Sequence, residues 1–230
     1  MRARISNYFL SAFIVGLFWQ CSETKEIDPR DFGASLFPLN VGEYRIYQVE
    51  GIEYNISNDS LFSYQLKETV IDSFTNLESG ISYKILREKK NNADETWQFD
   101  SLWTARKDLR KAVMVENNVP IVKLSFPIGD SLAWDGNSLN DKNIDEFIMI
   151  DINRTFSGEY DTYSNTTTVI QEFLPDFNVN WISRKEVYAE SIGLVYKEKI
   201  VLIYNQSAIG AEIIDSGIRY HQHLVEYGKE

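Results

Sequence analysis

The chain is poor in cysteine, histidine, proline and basic residues. Its 230 residues include one cysteine, two histidines and five prolines. A single cysteine, Cys21, has no partner for an internal disulfide, so the core alone must stabilise the fold. Lys and Arg number 23 against 34 Asp and Glu, a formal net charge of -11. This charge argues against nucleic acid as a partner and against docking on anionic headgroups.

Motifs for common cofactors are also missing. The sequence has no phosphate-binding loop, dinucleotide fingerprint, zinc cluster or basic nucleic-acid patch. We therefore predict no cofactor and no nucleic-acid partner.

The amino terminus carries an uncharged apolar run at residues 8–19, preceded by Arg2 and Arg4. A transmembrane helix needs roughly 20 apolar residues, so this run is too short to span a bilayer. It fits the apolar region of an export signal. Polar sequence begins directly after Cys21, and the signal is predicted to cover residues 1–20.

This segment resembles the signal of a bacterial lipoprotein. The resemblance implies that Cys21 carries acyl chains such as palmitate, and that these hold the protein to the membrane. Two or more chains give stable anchoring, whereas one binds only marginally. The implied location is the cell envelope, as an outer-membrane lipoprotein that faces the periplasm or the cell surface. An uncleaved anchor, or an ordinary signal with an incidental cysteine, remains an alternative.

A polar segment follows the signal at residues 21–36, and we interpret it as a tether. Glu23 and Glu26 loosely match the acidic signal that marks surface export in Bacteroidota-type lipoproteins; a solvated linker is the alternative. Pro38 and Gly42 then punctuate the entry to a strand. One β domain is predicted over residues 37–230, a length sufficient for a sizeable core.

Alternation of apolar and polar residues predicts strands along this domain. Within the first strand, the alternation of apolar and polar residues shifts by one position twice, which predicts bulges near Tyr47 and near Gly51. No amphipathic helix separates the runs, which favours antiparallel pairing. The predicted strands cover residues 43–54, 62–70, 81–85, 96–105, 111–116, 121–126, 146–156, 166–173, 181–189, 194–205 and 218–227.

Stretches at residues 37–49, 126–140 and 187–198 resemble segments of uncharacterised Bacteroidota envelope lipoproteins. The resemblance implies an all-β domain, a single antiparallel meander with a curved sheet or partly open barrel, similar in some members to the lipoprotein-carrier fold. Whether the sheet forms a sandwich, a barrel or a half-barrel stays open.

Residues 129–132 spell Gly-Asp-Ser-Leu, which resembles the nucleophile block of an esterase family. Ser131 would be the nucleophile, with a base elsewhere. That family also supplies an Asp-x-x-His motif, and this sequence has none. We therefore interpret the block as a turn and predict no catalytic residue.

Asp-Ser or Asp-Thr followed by an apolar residue recurs along the chain. The repeat resembles the O-glycosylation acceptors of Bacteroidota envelope proteins, and polar turns suit a bulky glycan. The alternative is that Asp-Ser starts turns without modification. The acceptor residues would be Ser60, Ser73, Ser101, Ser131 and Thr162.

His221 and His223 are separated by one residue on a predicted strand, which places both imidazoles on one face about 6.5 to 7 Å apart. They are weak candidates for a metal site, because a metal would need at least one more ligand. Without one, they are expected to be solvent-facing, and no metal is predicted.

The sequence favours a lipid-anchored, non-enzymatic envelope protein that binds a ligand or a partner. An aromatic concave sheet face would hold a lipid or another apolar small molecule. A structural subunit of an outer-membrane uptake or secretion complex, with an envelope protein as its partner, is the alternative. A hydrolase that uses Ser131 is a third possibility.

Overall fold

The computed structural model describes residues 32–77, 80–176, 179–207 and 210–230. Apart from a short 3-10 helix at Ala34–Leu36, the elements are twelve β-strands. All strand pairs are antiparallel, which confirms the expected all-β fold. The strands are β1 Glu43–Tyr54, β2 Ser60–Thr75, β3 Ile81–Lys90, β4 Gln98–Lys107, β5 Lys111–Glu116, β6 Val119–Ser125, β7 Ala133–Asp135, β8 Glu146–Ser157, β9 Thr162–Asp176, β10 Asn180–Ala189, β11 Gly193–Tyr204 and β12 Ile214–Lys229.

The strands form one sheet in the order β6-β5-β4-β3-β2-β1-β12-β11-β10-β9-β8-β7. Strands that follow one another in sequence pair, except for β6 and β7, which are the two edges of the sheet, and the pairing of β1 with β12 joins the two halves. The two edges meet, because the Val122 amide donates to the Gly136 carbonyl at 2.9 Å. The Trp134 indole N–H donates to the Val122 carbonyl at 2.8 Å. The sheet is therefore a nearly closed barrel. Of the forms that the sequence left open, this corresponds to the partly open barrel.

The core lies on the inward face of this sheet. Leu66, Leu124 and Met149 are at most 1% exposed. Val70 of β2 stands opposite Ile85 of β3 in the register, and both are buried. Complete burial of such a side chain contributes about 1.5–3 kcal/mol, and this apolar burial is the main source of stability in a chain without disulfides.

Residues Ala34–Leu39, here called the N-terminal strap, close one side of the interior. Leu36, Phe37 and Leu39 of the strap are buried in the core. The Lys107 ammonium holds the strap by donating to the carbonyls of Ala34 at 2.9 Å and Phe37 at 2.8 Å. The packed body therefore includes residues 34–36, which the polar composition of the segment had assigned to the tether.

The predicted signal, Cys21 and most of the predicted tether lie outside the described residues. Among the residues that are described, no helix is long and apolar enough to cross a membrane.

Of the two predicted bulges in β1 one is confirmed and one was wrong, and one short strand was not predicted. Strand β7 was missed, since three residues are too few for alternation to show. The bulge near Tyr47 is confirmed by a register shift between Ile46 and Tyr47. No shift occurs at Gly51, where the pairing runs unbroken on both sides. Glycine is required there for close approach, because an added Cβ would overlap the Arg219 carbonyl oxygen.

Candidate functional site

A cluster of charged side chains lies inside the barrel. Its centre is Glu186 of β10, which is 1% exposed. Its carboxylate accepts a hydrogen bond from the ammonium group of Lys123 on β6 at 2.5 Å. The ammonium group of Lys197 on β11 lies 3.3 Å from the same carboxylate. The Tyr188 hydroxyl donates to its second oxygen at 2.6 Å. Lys123 also pairs with Glu116 of β5 at 3.1 Å, so two separate parts of the sheet, β5–β6 and β10–β11, meet here.

Strand register explains how this cluster forms. Lys197 stands directly opposite Glu186 in the pairing of β10 with β11, and opposite charges at such positions attract across a sheet. Lys123 interrupts the apolar run of β6 and reaches Glu186 from another part of the sheet. Curvature of the sheet brings the two side chains together.

The charges in the cluster support one another. Burial alone would raise the pKa of Glu186, but Lys123, Lys197 and the hydrogen bonds from Lys123 and Tyr188 lower it to about 2. Burial likewise opposes ionisation of Glu116, yet the two lysines lower its pKa. Burial would lower the pKa of Lys197, but Glu116 and Glu186 raise it. Glu186, Glu116 and Lys197 are therefore ionised at neutral pH.

A second ion pair lies on the same inward face. The Arg87 guanidinium of β3 donates to Glu68 of β2 at 3.0 Å. The guanidinium carbon lies 3.7 Å from the centre of the Trp103 ring, which is a cation–π contact. Both charged side chains are mostly shielded from solvent, at 13% and 12% exposure. The interior thus carries paired charges on both halves of the sheet.

A cavity of about 60 Å³ lies against these charged groups. An ordered water needs roughly 10–15 Å³, so the cavity holds about four to six non-hydrogen atoms. One wall is the N-terminal strap, which Arg45 holds by donating to the Pro38 carbonyl at 3.4 Å and to the Ile192 carbonyl. The charged residues that line the cavity are Arg45, Lys123, Lys197, Glu68, Glu116 and Glu186.

This cavity is smaller than the ligand-binding face that the sequence led us to expect, and its lining mixes charged with apolar side chains. Its lining carries three cations and three carboxylates, and its volume is far below the roughly 300–1,000 Å³ of a pocket for a drug-sized ligand. Sequence reasoning missed the cluster entirely. The available signal was Lys123, a lone lysine within the apolar run at residues 121–126.

The structure does not bring Ser131 to either histidine. Ser131 is exposed in the turn before β7, where its backbone amide donates to the Met149 carbonyl at 2.9 Å. His221 instead contacts the Tyr196 hydroxyl at 3.0 Å, and His223 lies beside Glu159. Ser131, the nucleophile of the hydrolase alternative, and the two histidines that could have served as its base therefore occupy separate places in the described structure.

His223 is less accessible than the sequence led us to expect. Its side chain is 14% exposed, and the Tyr160 ring meets it edge-on at 5.9 Å. His221 and His223 lie on the same face of β12, with ring centres 6.3 Å apart.

The predicted glycosylation residues differ in accessibility. Ser60, Ser73, Ser131 and Thr162 are exposed. Ser101, in contrast, is half-buried. Its hydroxyl donates a hydrogen bond to Asp100 at 2.9 Å and accepts one from Arg87 at 3.3 Å. A glycan has room at the first four positions, and modification at any of them stays a prediction.

Fold and site together define an all-β, barrel-like protein whose apolar interior holds a cluster of paired charges. No family model and no curated protein matches the chain. Two crystal structures are similar to it. One is of an exported protein from Bacteroides fragilis, described as having a YmcC-like fold, at 14% identity and a TM-score of 0.45. The other is of a protein from Parabacteroides distasonis described as a lipoprotein, at 13% identity and a TM-score of 0.40. Each match covers 84% of this chain and 98% of the other.

Proposed function

We propose that this is a lipid-anchored protein of the cell envelope, held at the outer membrane through Cys21, whose barrel is a non-enzymatic module that binds a small polar molecule. The anchoring part rests on the amino-terminal pattern of Arg2, Arg4, the apolar run at residues 8–19 and Cys21. The binding part rests on the cavity beside Glu186.

The cavity lining favours a particular chemistry. Three cations and three carboxylates face the same small volume, so the wall has no formal net charge. A ligand with one positive and one negative group, and no net charge itself, matches such a wall. A long acyl chain does not fit about 60 Å³, so the apolar ligand is replaced here by a small zwitterion.

Ligand size limits the affinity. The best small ligands gain about 1.5 kcal/mol for each non-hydrogen atom. A molecule of about five atoms therefore gains at most about 7.5 kcal/mol, which corresponds to a dissociation constant in the low micromolar range at best. Probes for this site must accordingly be used at millimolar concentration.

We expect glycine or β-alanine to raise the Tm of the wild-type protein, and acetate and ethylammonium to raise it less at equal concentration. Thermal unfolding followed by circular dichroism measures the shift. The variant Ile85→Phe adds volume at the cavity wall and should abolish it. Leu109→Phe is the control, because Leu109 is 72% exposed and lies outside the cavity lining.

Two results would contradict the binding proposal. One is that neither zwitterion shifts the wild-type Tm, so that the cavity holds only water. The other is that Ile85→Phe responds to the probes as strongly as the wild type does. Ile85→Phe must itself unfold cooperatively, and its own Tm in buffer is the reference for its shift.

An envelope-protein partner also stays a prediction. Phe99 and Leu102 of β4 are 68% and 50% exposed. Single exposed apolar side chains are normal in soluble proteins. The small-ligand proposal is therefore the one that the geometry supports best.

A further inference from the structure

The hairpin of β8 and β9 folds back over the outside of the barrel. Asp151 and Asn153 have positive φ angles of 52° and 55°, a region that Asp and Asn tolerate better than most residues. The pairing of the two strands shifts register between Ile150 and Arg154. Beyond that bend, the hairpin no longer follows the barrel wall.

Two contacts hold the tip of this hairpin against the outer face of the barrel. The Phe156 ring lies 5.4 Å from the Tyr196 ring of β11. The Tyr163 hydroxyl donates to the Leu224 carbonyl of β12 at 3.1 Å. The turn at residues 158–161, which carries Glu159 and Tyr160, is thereby held above β12.

Three potential metal ligands converge where the tip meets the wall. Glu50 of β1 stands opposite His221 in the pairing with β12, and His223 lies two residues further along the same face. Glu159 reaches in from the hairpin tip, with one carboxylate oxygen 3.6 Å from the His223 Nε2. One ligand atom from each of Glu50, Glu159 and His223 lies within 4.8 Å of the other two.

The two carboxylates of this group, Glu50 and Glu159, favour the binding of a cation. Within the described part of the chain, neither Glu50 nor Glu159 forms an ion pair with a lysine or an arginine. Two carboxylates that approach each other without such a partner repel. A divalent cation between them would neutralise both.

Neighbouring residues orient the imidazoles. The Tyr196 hydroxyl donates to Glu198 at 2.9 Å and is 3.0 Å from the His221 Nδ1. A hydroxyl has one proton, so Tyr196 accepts from His221, and the His221 proton is on Nδ1. This contact orients the His221 ring, which lies on the side of β12 that it shares with Glu50. Its ring lies nearly parallel to that of His223, at 25°.

We propose that Glu50, Glu159 and His223 bind a divalent transition-metal ion of the zinc class, which fastens the hairpin tip to the barrel wall. One imidazole nitrogen and two carboxylates form a donor set that suits Zn²⁺, whereas Mg²⁺ and Ca²⁺ prefer oxygen alone. The site is on the outer face of the sheet and is independent of the interior cavity.

The geometry requires only a small adjustment. Bonds of about 2.0–2.1 Å in a tetrahedral zinc site put the ligand atoms about 3.3 Å apart. The three atoms here are within 4.8 Å of one another. The Glu159 side chain is 53% exposed, so a rotamer change can bring its oxygen closer. Water would complete the coordination.

Isothermal titration calorimetry tests this site. Zinc chloride is titrated into tag-free full-length protein in detergent. We expect saturable binding of one ion per chain. Glu159→Gln and His223→Gln should each weaken binding at least about tenfold, because ligand loss costs no less than the loss of a residue that merely supports a ligand. The control is Glu53→Gln, an exposed residue of the same strand as Glu50, which should leave the affinity unchanged.

Any of three results would overturn the proposal. These are zinc binding that does not saturate, a Glu159→Gln variant that binds zinc as tightly as Glu53→Gln does, and calcium binding as tight as zinc binding. Glu159→Gln changes a half-exposed side chain in a turn and is expected to fold, so its titration decides the question even where His223→Gln unfolds.

Discussion

Replacing Glu186 with glutamine is expected to destabilise the folded protein by about 3–5 kcal/mol. The carboxylate is 1% exposed and pairs with both Lys123 and Lys197. Glutamine keeps the volume but removes the charge, and two shielded ammonium groups then lose their shared counter-ion. Urea unfolding followed by tryptophan fluorescence measures the loss.

The exposed pair of Lys84 and Asp72 is the matched control. Their nitrogen–oxygen distance is 2.8 Å, but the side chains are 40% and 54% exposed. Lys84→Met should change the free energy of unfolding by no more than about 1 kcal/mol. Equal, small effects of Lys84→Met and Glu186→Gln would show that the interior cluster does not contribute to stability.

The same carboxylate predicts a pH dependence of stability. The pKa of Glu186 is lowered in the folded protein from 4.5 to about 2. Its contribution is therefore complete above pH 4.5 and is lost as the pH falls from 4.5 towards 2. Glu186→Gln should lack this part of the acid destabilisation when the free energy of unfolding is measured across that range.

Replacing Gly51 with alanine is the second change with a large expected effect. Gly51 lies in β1 between Tyr220 of β12 and Phe62 of β2. An added Cβ would overlap the Arg219 carbonyl oxygen and lie 2.5 Å from the Phe62 ring. Strands at the centre of the sheet would have to separate, and we expect a loss of at least about 2 kcal/mol.

Gly129→Ala provides the comparison for this change. A Cβ at Gly129 would meet only the Leu132 Cβ, at 3.9 Å, so the effect should stay within about 0.5 kcal/mol. Urea midpoints of the two variants, with their slopes, measure both effects. Similar midpoints for Gly51→Ala and the wild type would contradict the close approach of β1 and β12.

Most of the fold could be predicted because alternation is a local signal. Strand β1 was predicted with its observed ends, and the parity slip at Tyr47 located a real bulge. At Gly51, glycine marks close backbone approach, which has the same sequence signature as a bulge. Leu36 was hidden by the polar residues that precede it, because composition averages over a window.

The sites could be predicted less well because they join distant strands. Lys123 and Glu186 are 63 residues apart in sequence, and only the curvature of the sheet brings them together. The histidine pair at residues 221 and 223 was visible in the sequence. The carboxylates proposed to bind a metal with His223 were not, because Glu50 comes from β1 and Glu159 from a hairpin that bends where two residues have positive φ angles.

The central claim is that a barrel-like binding module is held to the envelope through Cys21. Intact-mass spectrometry tests this claim on protein extracted from the membranes of the cell that produces it. The wild-type chain should begin at Cys21 and carry the added mass of at least two acyl chains, while Cys21→Ser should keep residues 1–20 and gain no acyl mass. Added hexose would report glycosylation in the same spectrum. A wild-type mass that shows no acyl chain would contradict the claim.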